Sequence, residues 1–199
     1  PRQSGKTTMV KHLFSDYKYI SLENPDNREF ALNDPRSFLE TYNNKVIFDE
    51  IQRAPLLFSY IQEIVDKNNS PARYIFTGSN NFLLLEQITQ TLAGRIILFN
   101  LLPFSYSELL TTKYKNMDID ELIYKGQYPR YYDTNISPEL FFQSYINTYI
   151  ERDVRNIKNI TDLQTFQKFI KLCAGRIGKE LNQTSIGNEC SVDHKTMKS

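Results

Sequence analysis

The sequence predicts an α/β fold: a parallel sheet covered by helices, followed by a mainly helical C-terminal part. Three features carry this reading. Short apolar runs at 19–22, 46–48, 74–77 and 96–99 are separated by segments of helical period. The runs at 46–48 and 74–77 lack polar alternation, as befits strands covered on both faces. Beyond Pro103 the strand-like runs stop while helical patterns continue.

Taken in order, residues 7–14 read as a helix with Met9, Val10 and Leu13 apolar. A strand at 19–22 ends in Glu23-Asn24-Pro25-Asp26, which reads as a turn or strand end. Helices are expected at 28–32 and 35–42, the second with Pro35 in its first turn, where a missing N–H costs little. Asn43-Asn44 turns the chain into the strand at 46–48, closed by Asp49 and Glu50. Leu57, Tyr60, Ile61, Ile64 and Val65 recur at helical spacing. A loop then leads to the strand at 74–77, which ends at Gly78-Ser79-Asn80-Asn81. A helix at 82–92 and a strand at 96–99 complete the sheet region. Further helices are expected at 104–110, 119–124, 138–150 and 163–173, with an aromatic, turn-rich connector at 126–135. The chain is divided into a core at 1–110, a linker at 111–135 and a partial helical domain at 136–199.

Composition narrows the function. Of 199 residues, 40% are hydrophobic, enough for a real core and too many for a disordered chain. Lys plus Arg is 24 against 23 for Asp plus Glu. That balance excludes a polybasic or acidic-tail protein and leaves open a local DNA-binding face. Mean hydropathy is -0.48. No stretch approaches the roughly 18 apolar residues of a spanning helix, so no membrane partner is expected. Cys173 and Cys190 are too few to build a disulfide framework or a zinc site alone. With no signal-peptide pattern visible, a cytoplasmic protein is expected.

The chemistry is concentrated at the start. Pro1-Arg2-Gln3-Ser4-Gly5-Lys6-Thr7-Thr8 supplies the last three positions of the phosphate-binding loop G-x-x-x-x-G-K-[ST]. The first glycine and the feeding strand would precede Pro1, so the sequence is read as lacking its natural N-terminus. Gly5 lets the backbone turn its N–H groups toward phosphates, and the helix that follows adds its positive end. Lys6 can reach the outer phosphates, and the Thr7 hydroxyl can ligate magnesium. Alone, such a string is equally a surface turn before a basic helix. A second site changes the balance. Asp49 closes a buried strand, far enough after Lys6 for a helix, a strand and another helix to intervene. Strand ends of this kind face the nucleotide in open α/β sheets. Asp49 would hold magnesium through water and Glu50 would polarise the attacking water; the plain alternative is a strand stopped by solvent-facing charge. At the next strand end Asn80, with Ser79 second, can bond a phosphate or that water, or cap the helix at 82–92. Arg95, after Ala93-Gly94, can stabilise transferring phosphate in cis or in trans, or be an ordinary surface arginine.

These strings, with Asn24-Pro25-Asp26, Asp49-Glu50-Ile51-Gln52-Arg53-Ala54-Pro55, Thr77-Gly78-Ser79-Asn80 and Leu92-Ala93-Gly94-Arg95, form an ordered set. The chain resembles the prokaryotic AAA-like P-loop ATPases that carry a C-terminal domain of unknown function, DUF4143. Gly126-Gln127-Tyr128-Pro129 and Tyr149-Ile150-Glu151-Arg152-Asp153-Val154 look like that family's linker and C-terminal signature. The resemblance gives Lys6 and Thr7 the Walker A roles, Asp49 and Glu50 the Walker B roles, and Asn80 that of sensor. It also implies a C-terminal winged-helix-like unit, with 181–189 as its second helix and 191–198 beginning the third. His194, Lys195, Thr196 and Lys198 would then face DNA, or the unit would serve protein contacts. Cys190 stands where the turn of such units usually has glycine. Arg152-Asp153 and Arg155 form a charged group that can bridge the two parts or lie on a helix surface.

The expected function is Mg2+-dependent binding and hydrolysis of ATP at the β–γ bond. Glu50, Asn80 and Arg95 are the catalytic set, Gly5, Lys6, Thr7 and Thr8 the nucleotide set, and Thr7 and Asp49 the metal set. ATP is favoured over GTP because no Asn-Lys-x-Asp string is present. The alternative is a nucleotide-dependent DNA- or protein-binding switch with little turnover; a scaffold with a degenerate loop stands third. Partners through the C-terminal part are DNA or protein, and a homo-oligomer is compatible with the sequence.

Overall fold

The computed structural model describes residues 2–67, 71–78, 88, 91–152 (149–152 by backbone only) and 162–192. The chain divides into two compact units, Pro1–Ile136 and Ser137–Ser199.

The first unit is built on a three-stranded parallel sheet in the order β1 (Lys18–Ser21), β2 (Val46–Asp49), β3 (Tyr74–Thr77). Its register pairs Tyr19 with Ile47 and Ile47 with Ile75; one pleat on, Ser21 pairs with Asp49 and Asp49 with Thr77. Helix α1 (Lys6–Leu13) precedes β1. Helices α2 (Pro25–Asn33) and α3 (Pro35–Thr41) join β1 to β2. A 3₁₀ turn, Ile51–Arg53, and α4 (Leu57–Lys67) join β2 to β3. Crossovers of this kind are what parallel pairing demands.

Caps set the helix starts. Asn24 accepts the N–H of Asn27 at 3.1 Å, and Asp34 accepts that of Ser37 at 3.0 Å. Each cap is followed by a proline in the first turn. Asn24-Pro25, which reads as a turn or strand end from sequence, is therefore the start of α2.

The pleat of β2 assigns its faces. Val46 and Phe48 join Phe38, Leu39, Leu57, Phe58 and Ile61 in one core cluster with α3 and α4. Successive strand residues point to opposite faces, so Ile47 and Asp49 look the other way. Helix α1 packs against β2 and buries Val10. Phe48 is fully buried, its ring centroid 5.5 Å from Phe38 and 5.7 Å from Tyr74. Phe48→Ala removes these contacts and leaves a cavity. The expected cost is about 3–5 kcal/mol, read from the urea unfolding midpoint of this unit.

Residues 96–99, expected as a strand, are irregular, with Ile97 78% and Phe99 87% exposed. The run has strand composition, but inter-strand hydrogen bonds make a strand, and among the described residues no strand pairs with it. The helix expected at 82–92 falls almost wholly outside the described residues. The unit continues with α5 (Tyr106–Leu110), begun by a Ser105–Glu108 capping box, and α6 (Ile119–Lys125), capped by Asp118. A short α7 (Pro129–Tyr132) occupies the stretch expected as a connector. The Tyr132 hydroxyl donates to the Gly126 carbonyl at 2.6 Å, and its ring lies 4.7 Å from that of Tyr114.

The second unit comprises α8 (Pro138–Arg152), α9 (Leu163–Ala174) and α10 (Gln183–Cys190). Asp162 caps α9, and Asn182 caps α10. Helices α9 and α10 pack together, and Arg176 pairs with Glu189. Cys190 is not the turn residue: it is buried in the last turn of α10, and Ser191 takes the left-handed conformation at φ 59. An apolar sulfhydryl gains by burial at the helix end, so the left-handed position passes to the next small polar residue. Asp153, Arg155, His194, Lys195, Thr196 and Lys198 lie outside the described residues. Among the described residues, no helix is long and apolar enough to cross a membrane.

Candidate functional site at the strand ends

The site assembles where α1 meets the carboxyl ends of β2 and β3. Gly5 is the N-cap of α1, at φ 85 and ψ 12, a left-handed turn that glycine adopts without a Cβ penalty. The first turn of α1 contributes no acidic residue of its own; the carboxylates beside it come from the end of β2. Ser4 is buried, and its Oγ accepts Lys6 Nζ at 3.4 Å. Half-buried Lys6 is held below its ordinary pKa. Burial is the main cause; the Glu50 charge pulls hardest the other way, Arg2 adds to the depression, and Asp49 opposes it. Thr8 is exposed on the same turn.

Asp49 is 8% exposed and ringed by hydroxyls. Thr7 Oγ1 lies 3.2 Å from both carboxylate oxygens, across 42 positions of sequence. Tyr19 Oη donates to Oδ2 at 2.6 Å, and Thr77 Oγ1 donates to Oδ1. Burial, then the hydrogen bond and the charge of Asp49, push the Tyr19 phenol up to about 12. It is therefore a proton donor at neutral pH.

Glu50 follows in the left-handed region, φ 57 and ψ 46. A non-glycine residue there costs roughly 1–2 kcal/mol, and such strain gathers at functional sites. The Gln52 amide donates to Glu50 Oε2, closing a two-residue clamp within the 3₁₀ turn.

The structure thus brings Gly5, Lys6, Thr7, Asp49 and Glu50 to one edge of the sheet. Arg95 is not with them. Its Nε and Nη2 donate to Asp66 at 2.5 and 3.0 Å. Asp66 lies in the last turn of α4, which runs back toward the amino ends of the strands. Asn80 and Ser79 lie outside the described residues. A concavity of about 330 Å³, lined by Arg36, Tyr60, Lys67, Arg73 and Tyr74 among others, opens at the amino ends of the strands, away from Asp49. Tyr19 and Thr77 are the site residues the sequence reading gave no role at Asp49. Thr77 stands opposite Asp49 in the register and Tyr19 reaches it from the neighbouring pair, a placement that no local string carries.

Magnesium fits the donors present. A threonine hydroxyl and a carboxylate are hard oxygen ligands of the kind this cation takes. Mg2+ is commonly held by one or two carboxylates together with substrate phosphates.

A glycine-turned loop, a lysine and a strand-end carboxylate on a parallel sheet define the P-loop class of nucleotide-binding folds. The chain belongs to the AAA domain family, which matches residues 1–110. Residues 116–199 match a different domain of unknown function, DUF8612, rather than the expected DUF4143. The short aromatic and charged strings used for that expectation do not distinguish one helical domain from another. Relatives include uncharacterized proteins of Mycobacterium tuberculosis and Mycobacterium bovis. Each is 30% identical over 161 residues, covering 79% of this chain and 35% of the relative. An uncharacterized protein of Methanocaldococcus jannaschii is 28% identical over 234 aligned positions, covering 97% of this chain and 52% of the relative. The chain therefore spans about a third to a half of the length of these curated relatives.

Proposed function

We propose that this protein binds ATP with Mg2+ and hydrolyses its β–γ bond. The observation that carries the reading is the Thr7–Asp49 contact, which joins the start of α1 to the end of β2. A hydroxyl that gives its proton to a carboxylate keeps its lone pairs for a cation. In this reading the N–H groups at Gly5 and the start of α1 cradle phosphate oxygens, and Lys6 neutralises the outer phosphates. Thr7 and Asp49 hold the cation, which supplies charge neutralisation for the phosphates when bound. Glu50 orients the attacking water and accepts its proton. Asn80 is the proposed partner of that water or of the terminal phosphate. The C-terminal unit is the proposed contact for a DNA or protein partner.

The direct test is phosphate release from ATP by the full-length protein with and without Mg2+. Release that requires Mg2+ is expected; binding without release would make the protein a nucleotide switch. Arg95 bears on the assembly. Its pairing with Asp66 removes it from the phosphate edge of its own chain, leaving a role in trans as the proposal. Arg95→Ala is expected to keep wild-type ATP affinity by calorimetry. Turnover should fall and recover in part when the variant is mixed with Glu50→Gln; failure to recover at every ratio would end the trans role.

A further inference from the structure

The Asp49 carboxylate takes hydroxyl protons from three elements: Thr7 on α1, Tyr19 on β1 and Thr77 on β3. Thr77 stands directly opposite Asp49 in the register. Tyr19 does not. It pairs with Ile47, two positions before Asp49, so its long aromatic side chain reaches Asp49 along the diagonal. Its ring is covered in turn by Lys11, whose Nζ lies 3.4 Å from the ring centroid. Lys11 is one turn after Thr7 on α1. The same helix thus bears on Asp49 twice, directly through Thr7 and indirectly through the Lys11–Tyr19 stack.

We propose that Tyr19 is a positioning residue, fixing the Asp49 carboxylate for the divalent cation that accompanies a bound nucleotide. The inference rests on the Mg2+–ATP reading above. A carboxylate has about four lone-pair sites, and a short hydrogen bond to one oxygen orients the rest. Tyr19 occupies Oδ2 at 2.6 Å. Without it, Asp49 keeps two threonine hydroxyls but loses the bond from the β1 side, and the carboxylate is freer to turn about its Cβ–Cγ bond. Partners that orient a metal-binding carboxylate typically change metal affinity by about 10–100-fold when removed. Tyr19→Phe isolates this effect, because it keeps the ring under Lys11 and removes only the hydroxyl.

The experiment uses the full-length protein and a fluorescent N-methylanthraniloyl ATP analogue, titrated in EDTA and at rising Mg2+. In EDTA, Tyr19→Phe should bind the analogue like wild type, since the loop and Lys6 are untouched. The Mg2+ concentration giving half of the metal-dependent gain in affinity should rise about ten-fold. A normal wild-type gain with an unshifted Tyr19→Phe curve would overturn the positioning role alone. Weakened binding in EDTA would also overturn it, making Tyr19 a structural part of the sheet. If wild type binds the analogue but shows no gain with Mg2+, or does not bind it, the metal–nucleotide reading falls and takes this inference with it.

Discussion

Lys6→Ala is expected to lower the ATP affinity of the full-length protein by roughly 10²-fold at fixed Mg2+, measured by isothermal titration calorimetry. A hydrogen bond between charged partners contributes about 1.5–3 kcal/mol net, and the upper part of that range corresponds to this loss. The setting of Lys6 favours the upper part. Burial holds its pKa down, which means the ammonium is partly stripped of water before any ligand arrives. An anion that completes its shell therefore recovers solvation already lost. The same fact separates binding from stability. A charge disfavoured by burial contributes little to folding, so the alanine variant should melt close to wild type. Unchanged ATP affinity in a folded Lys6→Ala protein would remove the loop from nucleotide binding.

The parts of this site that were legible in the sequence are those encoded by adjacent residues. Gly5, Lys6 and Thr7 are consecutive, and Asp49-Glu50 closes an apolar run, so local strings predict both the turn and the strand end. What joins them is not local. Thr7 meets Asp49 because β2 exposes alternate residues toward α1, and Tyr19 and Thr77 meet it because β1 and β3 pair in one particular register. Nothing in the runs at 19–22 and 74–77 specifies that register, so the sequence alone gives neither hydroxyl a role at Asp49. The run at 96–99 misled for a related reason: it has the composition of a strand but no pairing strand among the described residues. Asn24-Pro25 shows the converse. Proline after asparagine reads as a turn until the side chain is seen to cap α2. Arg95 is ambiguous in the sequence because its ion-pair partner, Asp66, lies 29 positions earlier, on the far side of β3, and is adjacent only in the folded chain.

Glu50→Gln should reduce single-turnover phosphate release by about 10²-fold or more while leaving ATP affinity near wild type. Glu50 is held at the end of β2 in a left-handed conformation, with its carboxylate clamped by the Gln52 amide. Glutamine at this position has the same length, and its carbonyl oxygen can still accept from Gln52, so the backbone and the 3₁₀ turn should persist. What disappears is the negative charge proposed to orient water and take its proton. In the proposed function those interactions strengthen only as the water attacks, whereas ground-state binding rests on the loop, Lys6 and the Thr7–Asp49 pair. Removing a contact made in the transition state lowers turnover without weakening binding. One secondary effect carries the opposite sign for Lys6. Glu50 is the strongest charge raising the Lys6 pKa against burial, so neutralising it should depress that pKa further. Glu50→Gln should then lose ATP affinity on the alkaline side at a lower pH than wild type, a shift visible in calorimetric titrations across pH. Wild-type release with wild-type affinity would exclude Glu50 from the chemistry. A loss of release with an unmoved alkaline limb would keep Glu50 in the chemistry and place its charge too far from Lys6 to couple the two.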